Sequence, residues 1–165
     1  MEIERKFMID KDRIPFDITA FPSLVMKQGY ILHSPALRIR KENEKYVLTY
    51  KDSGGLSREE INVTLPESAG LKLFGKCDGH IIEKTRYLIP SGNRDDSTGR
   101  DLTIELDIFH GDLDPLCYAE IEFDSEKSAL SYDPPEWFGR ELTGIKGYSN
   151  SDLSLYGAPQ SLSHS

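Results

Sequence analysis

The chain has 165 residues, with 28 Asp and Glu against 20 Lys and Arg and a formal charge of -8. That length fits one domain with a core of its own. The acidic balance excludes general attraction to nucleic acid or anionic membranes, so any polyanion must meet a locally basic pocket. Cys77 and Cys117 are the only cysteines and show no metal or redox spacing. The charged Glu2 and Glu4 leave no room for an apolar signal segment and no run reaches membrane-spanning length, so a cytoplasmic protein is expected.

Side chains alternate between the two faces of an extended strand. In Met1-Glu-Ile-Glu-Arg-Lys-Phe7 that puts Glu2, Glu4 and Lys6 on one face and Ile3, Arg5 and Phe7 on the other. The first strand ends near Asp10, and Asp10 to Pro15 reads as a turn. A second strand covers Leu24 to Leu32, a third carries Leu37-Arg38-Ile39-Arg40, and Asn43-Glu44 turns it into a hairpin with Lys45 to Lys51. After the turn Ser53-Gly-Gly55, a fifth strand runs from Ser57 to Leu65, with Arg58, Glu60 and Asn62 on one face. Pro66 opens a helix through Lys76. A sixth strand, His80 to Ile89, presents Lys84 and Arg86 together, and the polar Ser91 to Gly99 reads as a long exposed loop. Leu102 to Phe109 and Tyr118 to Phe123 are strands seven and eight, carrying Glu105, Asp107, Glu120 and Glu122. Ser125 caps a helix through about Tyr132 that Pro134-Pro135 stops, Asn150 or Ser151 caps a last turn, and the end from Gly157 is a frayed tail. Residues 1–157 read as a single domain, with 158–165 as the tail.

Eight alternating strands with few helices predict a mainly β, α+β fold: a closed eight-stranded antiparallel β-barrel forming a tunnel, flanked by short helices. Along the charged strands, one parity sorts into a basic set (Arg38, Arg40, Lys51, Arg58, Lys84, Arg86) and a carboxylate set (Glu2, Glu4, Glu60, Glu105, Asp107, Glu120, Glu122). A carboxylate pair at i and i+2 offers hard oxygen ligands to one divalent cation, and arginine's fork suits phosphate. A sandwich or lipocalin-like barrel with its charged face outward is the competing reading. On the tunnel reading, Ile3, Ile39, Ile61, Ile104 and Ile121 point outward beneath helices and loops. Trp137, Phe138 and Tyr148 read as packing residues over a tunnel mouth.

Glu2-Ile-Glu4-Arg-Lys6-Phe resembles the Glu-x-Glu-x-Lys signature of the CYTH superfamily, the triphosphate tunnel metalloenzymes. Gln28-Gly-Tyr30, Leu37-Arg38-Ile-Arg40, Val47-Leu-Thr-Tyr-Lys51, Ile82-Glu-Lys84-Thr-Arg86-Tyr and Ala119-Glu120-Ile-Glu122-Phe resemble its blocks in the same order. Pro135-Glu-Trp137-Phe-Gly139-Arg-Glu-Leu-Thr143 and Tyr148-Ser-Asn150 are similar to the C-terminal block of its small bacterial members. The resemblance implies hydrolysis of inorganic triphosphate with Mg2+ or Mn2+. It implies Glu2, Glu4, Glu60, Glu120 and Glu122 as metal ligands, Lys6, Arg38, Arg40, Arg58, Lys84 and Arg86 as phosphate clamps, and Lys51 with Tyr30 as the dyad handling water. The partner implied is a small-molecule triphosphate, with no nucleic acid and no membrane; a homodimer stays open. A class IV adenylate cyclase, a thiamine or nucleoside triphosphatase, and a polyphosphate-binding module without turnover are the alternatives. One departure stands out: Asn62 occupies a position where the family pattern Arg-x-Glu-x-Glu has a second carboxylate, and it adds no charge.

Overall fold

The computed structural model describes residues 2–52 and 56–159; the turn predicted at Ser53-Gly-Gly55 and residues 160–165 of the predicted tail lie outside the described residues. The strands are β1 (Glu2–Ile9), β2 (Ser23–His33), β3 (Ala36–Glu42), β4 (Lys45–Lys51), β5 (Ser57–Arg58), β6 (Glu60–Leu65), β7 (Asp78–Arg94), β8 (Asp101–Phe109), β9 (Cys117–Glu122) and β10 (Phe138–Glu141). Three short helices accompany them, α1 (Glu67–Phe74), α2 (Glu126–Ser131) and α3 (Asn150–Tyr156). The sheet order is β10-β1-β9-β8-β7-β2-β3-β4-β6, with β5 pairing back to β1, and every pairing is antiparallel.

This is the predicted barrel with two refinements. The fifth strand is broken at Glu59: Ser57 and Arg58 pair with Ile3 and Glu2, whereas Glu60 to Leu65 pair with Lys51 to Tyr46. One straight strand cannot follow both neighbours, so the chain bends at the corner where the barrel closes. β10 has no counterpart among the predicted strands. Its four residues, Phe-Gly-Arg-Glu, follow two prolines and carry no alternation long enough to read, and they are held by pairing to the outer end of β1. Arg5 explains that attachment, because its guanidinium forks onto Glu141 at 2.9 and 2.7 Å and donates to the carbonyls of Ala129 and Tyr132.

Burial follows the period-2 reading with one exception. Ile39, Ile104 and Ile121 are buried on the outer side of the wall, and Ile3 packs against the same cluster as Ile104 and Ile121. Ile61 was expected beneath a helix and is instead 59% exposed. The helix after Pro66 packs on β3 and β4, and Gly70 lets it sit against Tyr46, where a Cβ would lie 2.2 Å from the ring. β6 is left uncovered. Trp137 and Phe138 pack with Phe16 and Phe7 in the outer core, and Tyr148 lies in a second cluster with Tyr30, Tyr118 and Leu153. Ser125 caps α2 as expected, whereas the cap of α3 is Ser149 rather than Asn150 or Ser151, its hydroxyl accepting from Asp152 N.

The segment Ser91 to Gly99 is not the loose loop its polarity suggested. β7 runs through it to Arg94, and the turn beyond is organised by Asp95, which is only 2% exposed. Its carboxylate accepts from Ser97 N (2.9 Å), Ser97 Oγ (2.5 Å), Ser128 Oγ (2.7 Å) and Asp124 N (2.8 Å). Burial works against the charge, but these donors outweigh it and hold the carboxyl below the ordinary aspartate range. A group depressed in the folded state stabilises above its unfolded pKa and loses that contribution as pH falls through the folded value. Asp95→Ala should therefore lower stability by about 2 kcal/mol at neutral pH, with the deficit shrinking in acid, as read by denaturant melts between neutral pH and pH 3.

Candidate active site

The inward faces of β1 to β9 surround a cavity of about 470 Å³. Glu2, Glu4 and Lys6 of β1 reach it by the alternation read from the sequence, as do Arg38 and Arg40 of β3, Lys51 of β4, Arg58 of β5, Glu60 of β6, Arg86 of β7, and Glu120 and Glu122 of β9. Tyr30 of β2 lines it as well, stacked on His33 at 5.3 Å. Of the two charged sets read from the sequence, Lys84 and Asp107 are absent from the lining. Both were expected on the inward parity and instead lie beneath it. Lys84 is 0% exposed and its Nζ lies 2.7 Å from Asp107 Oδ2, beneath the lumen wall. Burial first, then the Arg86 and Arg40 charges, take its pKa down to about 7 against the pull of Asp107. Asp107 also receives Arg86 in a two-pronged contact at 2.7 and 2.9 Å, and Glu105 takes the third prong at 2.7 Å. Lys84 and Asp107 thus fix the plane of a guanidinium that does face the lumen.

The other two buried arginines are less fully paired. Arg40 Nε donates to Gln28 at 3.0 Å and Nη1 to Glu42 at 3.3 Å. Arg38 donates to Thr49 Oγ1 at 3.4 Å, and among the described residues its buried Nε has no hydrogen-bond partner. Burial, Arg38 and Arg86 together draw the Arg40 pKa down to about 10. Crowded guanidinium groups with spare donors are a polyanion site.

The carboxylates are interleaved with these cations. Cross-strand register sets Glu4 against Glu122 and Lys6 against Glu120. Oxygens of Glu2, Glu4 and Glu122 all lie within 4.8 Å of one another. Burial is the main cause that raises Glu4 to about 8, aided by Glu120 and Glu2, and burial with the Glu60 contact raises Glu2 to about 7. Glu60 goes the other way, to about 2, because hydrogen bonds from Glu2 and Asn62 and the Lys51 charge outweigh its burial. Glu120 also lies well below the usual range, its burial outweighed by Lys6, Arg86 and Lys84. Three hard oxygen donors, two half-buried and Glu122 exposed, fit a divalent cation, and Glu60 and Glu120 stand beside that cluster rather than in it. Lys51 Nζ lies 2.8 Å from Glu2 and 3.8 Å from Glu60, so its nearest charged neighbours are carboxylates rather than cations. Asn62 accepts from Thr49 Oγ1 (2.6 Å) and donates to Glu60 (3.0 Å), so it orients a carboxylate instead of supplying one.

The sequence reading did not place α3 at the site. Ser149 to Asp152, Leu155 and Tyr156 line one side of the cavity, and His33 ties the helix down through Ser151 Oγ at 3.0 Å. The cap signal was legible, but nothing local shows where a short helix docks.

These features define an antiparallel β-tunnel whose lumen is lined by interleaved carboxylates, arginines and lysines. The chain belongs to the CYTH domain family, which matches residues 1–154. It is 38% identical over 157 residues to an inorganic triphosphatase of Nitrosomonas europaea, spanning 93% of this chain and 97% of that protein. It is 34% identical over 160 residues to an inorganic triphosphatase of Acetivibrio thermocellus, spanning 92% of each. A crystal structure of an inorganic triphosphatase superposes with a TM-score of 0.65 at 31% identity, covering 96% of this chain and 97% of that one.

Because the cluster must shed protons held near pH 7 to 8 before it can ligate, metal affinity should climb from pH 6 to pH 9. Mn2+ titrations followed by electron paramagnetic resonance test this, and a pH-independent affinity would contradict the proton-sharing arrangement.

Proposed function

We propose that this chain is a metal-dependent hydrolase that cleaves inorganic triphosphate to diphosphate and phosphate inside the tunnel. The observation that carries the reading is the shared lumen: incompletely paired arginines face it beside a three-carboxylate cluster. Relatives named inorganic triphosphatases across nearly the whole chain support it. The substrate is a small polyanion, whereas the -8 net charge repels nucleic acid and anionic membrane surfaces. Among the described residues no helix is long and apolar enough to cross a membrane, and we read residues 1–157 as one cytoplasmic domain.

In this reading Arg38, Arg40 and Arg86 hold the phosphates in line, with Lys6 and Arg58 completing the clamp. Little covalent work falls to the protein in phosphoryl transfer, so positioning and charge neutralisation supply most of the acceleration. Mg2+ or Mn2+, held by Glu2, Glu4 and Glu122, neutralises phosphate oxygens when bound. Tyr30 and Lys51 orient the attacking water, with Lys51 Nζ held in place by Glu2 at 2.8 Å. Lys84 supports the clamp through Asp107 and Arg86 without touching phosphate. The module without turnover loses its motivation, since Asn62 is engaged in holding Glu60 and the carboxylate cluster is complete without it.

Tyr30→Phe and Lys51→Ala should each lower kcat by about a hundredfold or more, non-additively, whereas Arg38→Ala should mainly raise KM. Phosphate release from inorganic triphosphate, ATP and thiamine triphosphate, with Mg2+, Mn2+ or excess chelator, tests the reaction itself. Full turnover in chelator, or a wild-type kcat in Tyr30→Phe, would remove the metal or the dyad from the mechanism respectively.

A further inference from the structure

The carboxylate cluster has a second side. Among the described residues β6 pairs only with β4, and where it runs past the short β5–β1 contact no further strand of those residues joins the wall. A cavity of about 410 Å³ occupies that gap. It shares Glu2, Glu60 and Glu122 with the lumen and is otherwise bounded by Asn62, Arg100 and Asp124 with flanking Ile3 and Phe123. Its lining carries four carboxylates against a single cation, and Arg100 is already engaged with Asp124 at 3.0 and 3.1 Å. A cation approaching through the lumen meets six lysines and arginines interleaved with eight carboxylates, and that path is filled whenever a polyanion lies among the cations.

The rim of this gap is built. Arg100 Nη2 donates to the carbonyl of Glu122 at 3.0 Å, and Thr98 Oγ1 donates to Asp124. Asp124 N is held at 2.8 Å by the buried Asp95, whose own N–H donates to Arg100 O at 2.8 Å. The ordered turn after β7 thereby fixes both rim residues, which gives the Asp95 hydrogen-bond cage a purpose beyond stability.

We infer that the gap between β6 and the ends of β8 and β9 is the port through which the divalent cation reaches and leaves Glu2, Glu4 and Glu122, with Asp124 and Arg100 as its rim. The inference rests on the metal reading of the site. It separates two traffics: the cation crosses an acidic port and the triphosphate occupies the lumen among the arginines, so metal exchange does not require the substrate path to be clear.

The test compares Asp124→Asn, which removes charge alone, with Asp124→Trp, which also narrows the port. Mn2+ uptake is followed by stopped-flow competition with a fluorescent chelator and Mn2+ release by a chelator trap. Relative to Asp124→Asn, Asp124→Trp should slow uptake and release by the same factor, about tenfold, leaving the equilibrium affinity within about twofold. Lys146→Trp narrows a separate cavity that reaches Glu4, beside Lys6 and Arg58, and should leave both rates unchanged; slowed exchange there instead would move the port to that side and overturn the assignment. A residue that acted only through its field or through the fold would shift the affinity rather than both rates together. Should Asp124→Trp fail to fold by circular dichroism, Arg100→Trp compared with Arg100→Gln reads the same rim. Normal Mn2+ uptake in the wild type with unchanged exchange in the tryptophan variants overturns the port alone. A wild type that takes up no Mn2+ overturns the metal reading and the port with it.

Discussion

Everything in this molecule depends on keeping like charges crowded in a desolvated wall. Burial disfavours each charged group by several kcal/mol unless a partner compensates, and here compensation comes by alternation. Glu2 meets Lys51, Glu4 meets Arg58, Lys6 stands 3.8 Å from Glu120, and Asp107 takes both Lys84 and Arg86. The strand period places these partners, because a slip of one residue would turn the whole set outward and bring Ile3, Ile39 and Ile121 into the lumen. The antiparallel ladders that close the barrel are therefore what holds the electrostatics in register.

Compensation is deliberately incomplete in two places. Arg38 and Arg40 keep donors to spare, and the Glu2–Glu4–Glu122 cluster has more carboxylate than nearby cations neutralise. A fully paired lumen would be more stable and inert. A half-paired one stores affinity for a ligand that brings the missing charges, here one anionic and one cationic component, which is the chemistry of a phosphate chain bridged to a metal. Arg86 shows the contrast: Asp107 and Glu105 satisfy three of its nitrogens, so it contributes a fixed surface rather than a seeking one.

The sequence made the barrel legible because alternation is a local signal repeated across its strands, and it made most of the lumen legible because charge rode on the same parity. What it left unread is tertiary. The bend at Glu59 arises from two neighbours demanding different directions, and β10 exists only because β1 has a free edge for it to join. Lys84 shares its parity with Arg86, yet its side chain ends on Asp107 beneath the wall; parity assigns a face but not a depth. Ile61 looked like Ile39 by pattern and differs because α1 lies over β3 and β4 and stops short of β6. The Ser91 to Gly99 segment reads by composition as a long exposed loop, but β7 continues to Arg94 and a single buried carboxylate with four donors organises the turn beyond it.

Protons already serve this lumen as counter-charges. Burial is the main cause that raises Glu2 to about 7 and Glu4 to about 8, with neighbouring carboxylates adding to it, so protonation relieves the crowding of the cluster. A divalent cation that replaced those protons would stabilise the folded chain by mass action, by an amount set by its concentration relative to its dissociation constant. Glu60 and Glu120, held low by their neighbours, would keep their charges against Lys51 and Lys6, each 3.8 Å away, so the acidic cluster and the lysines beside it are coupled through groups already in contact.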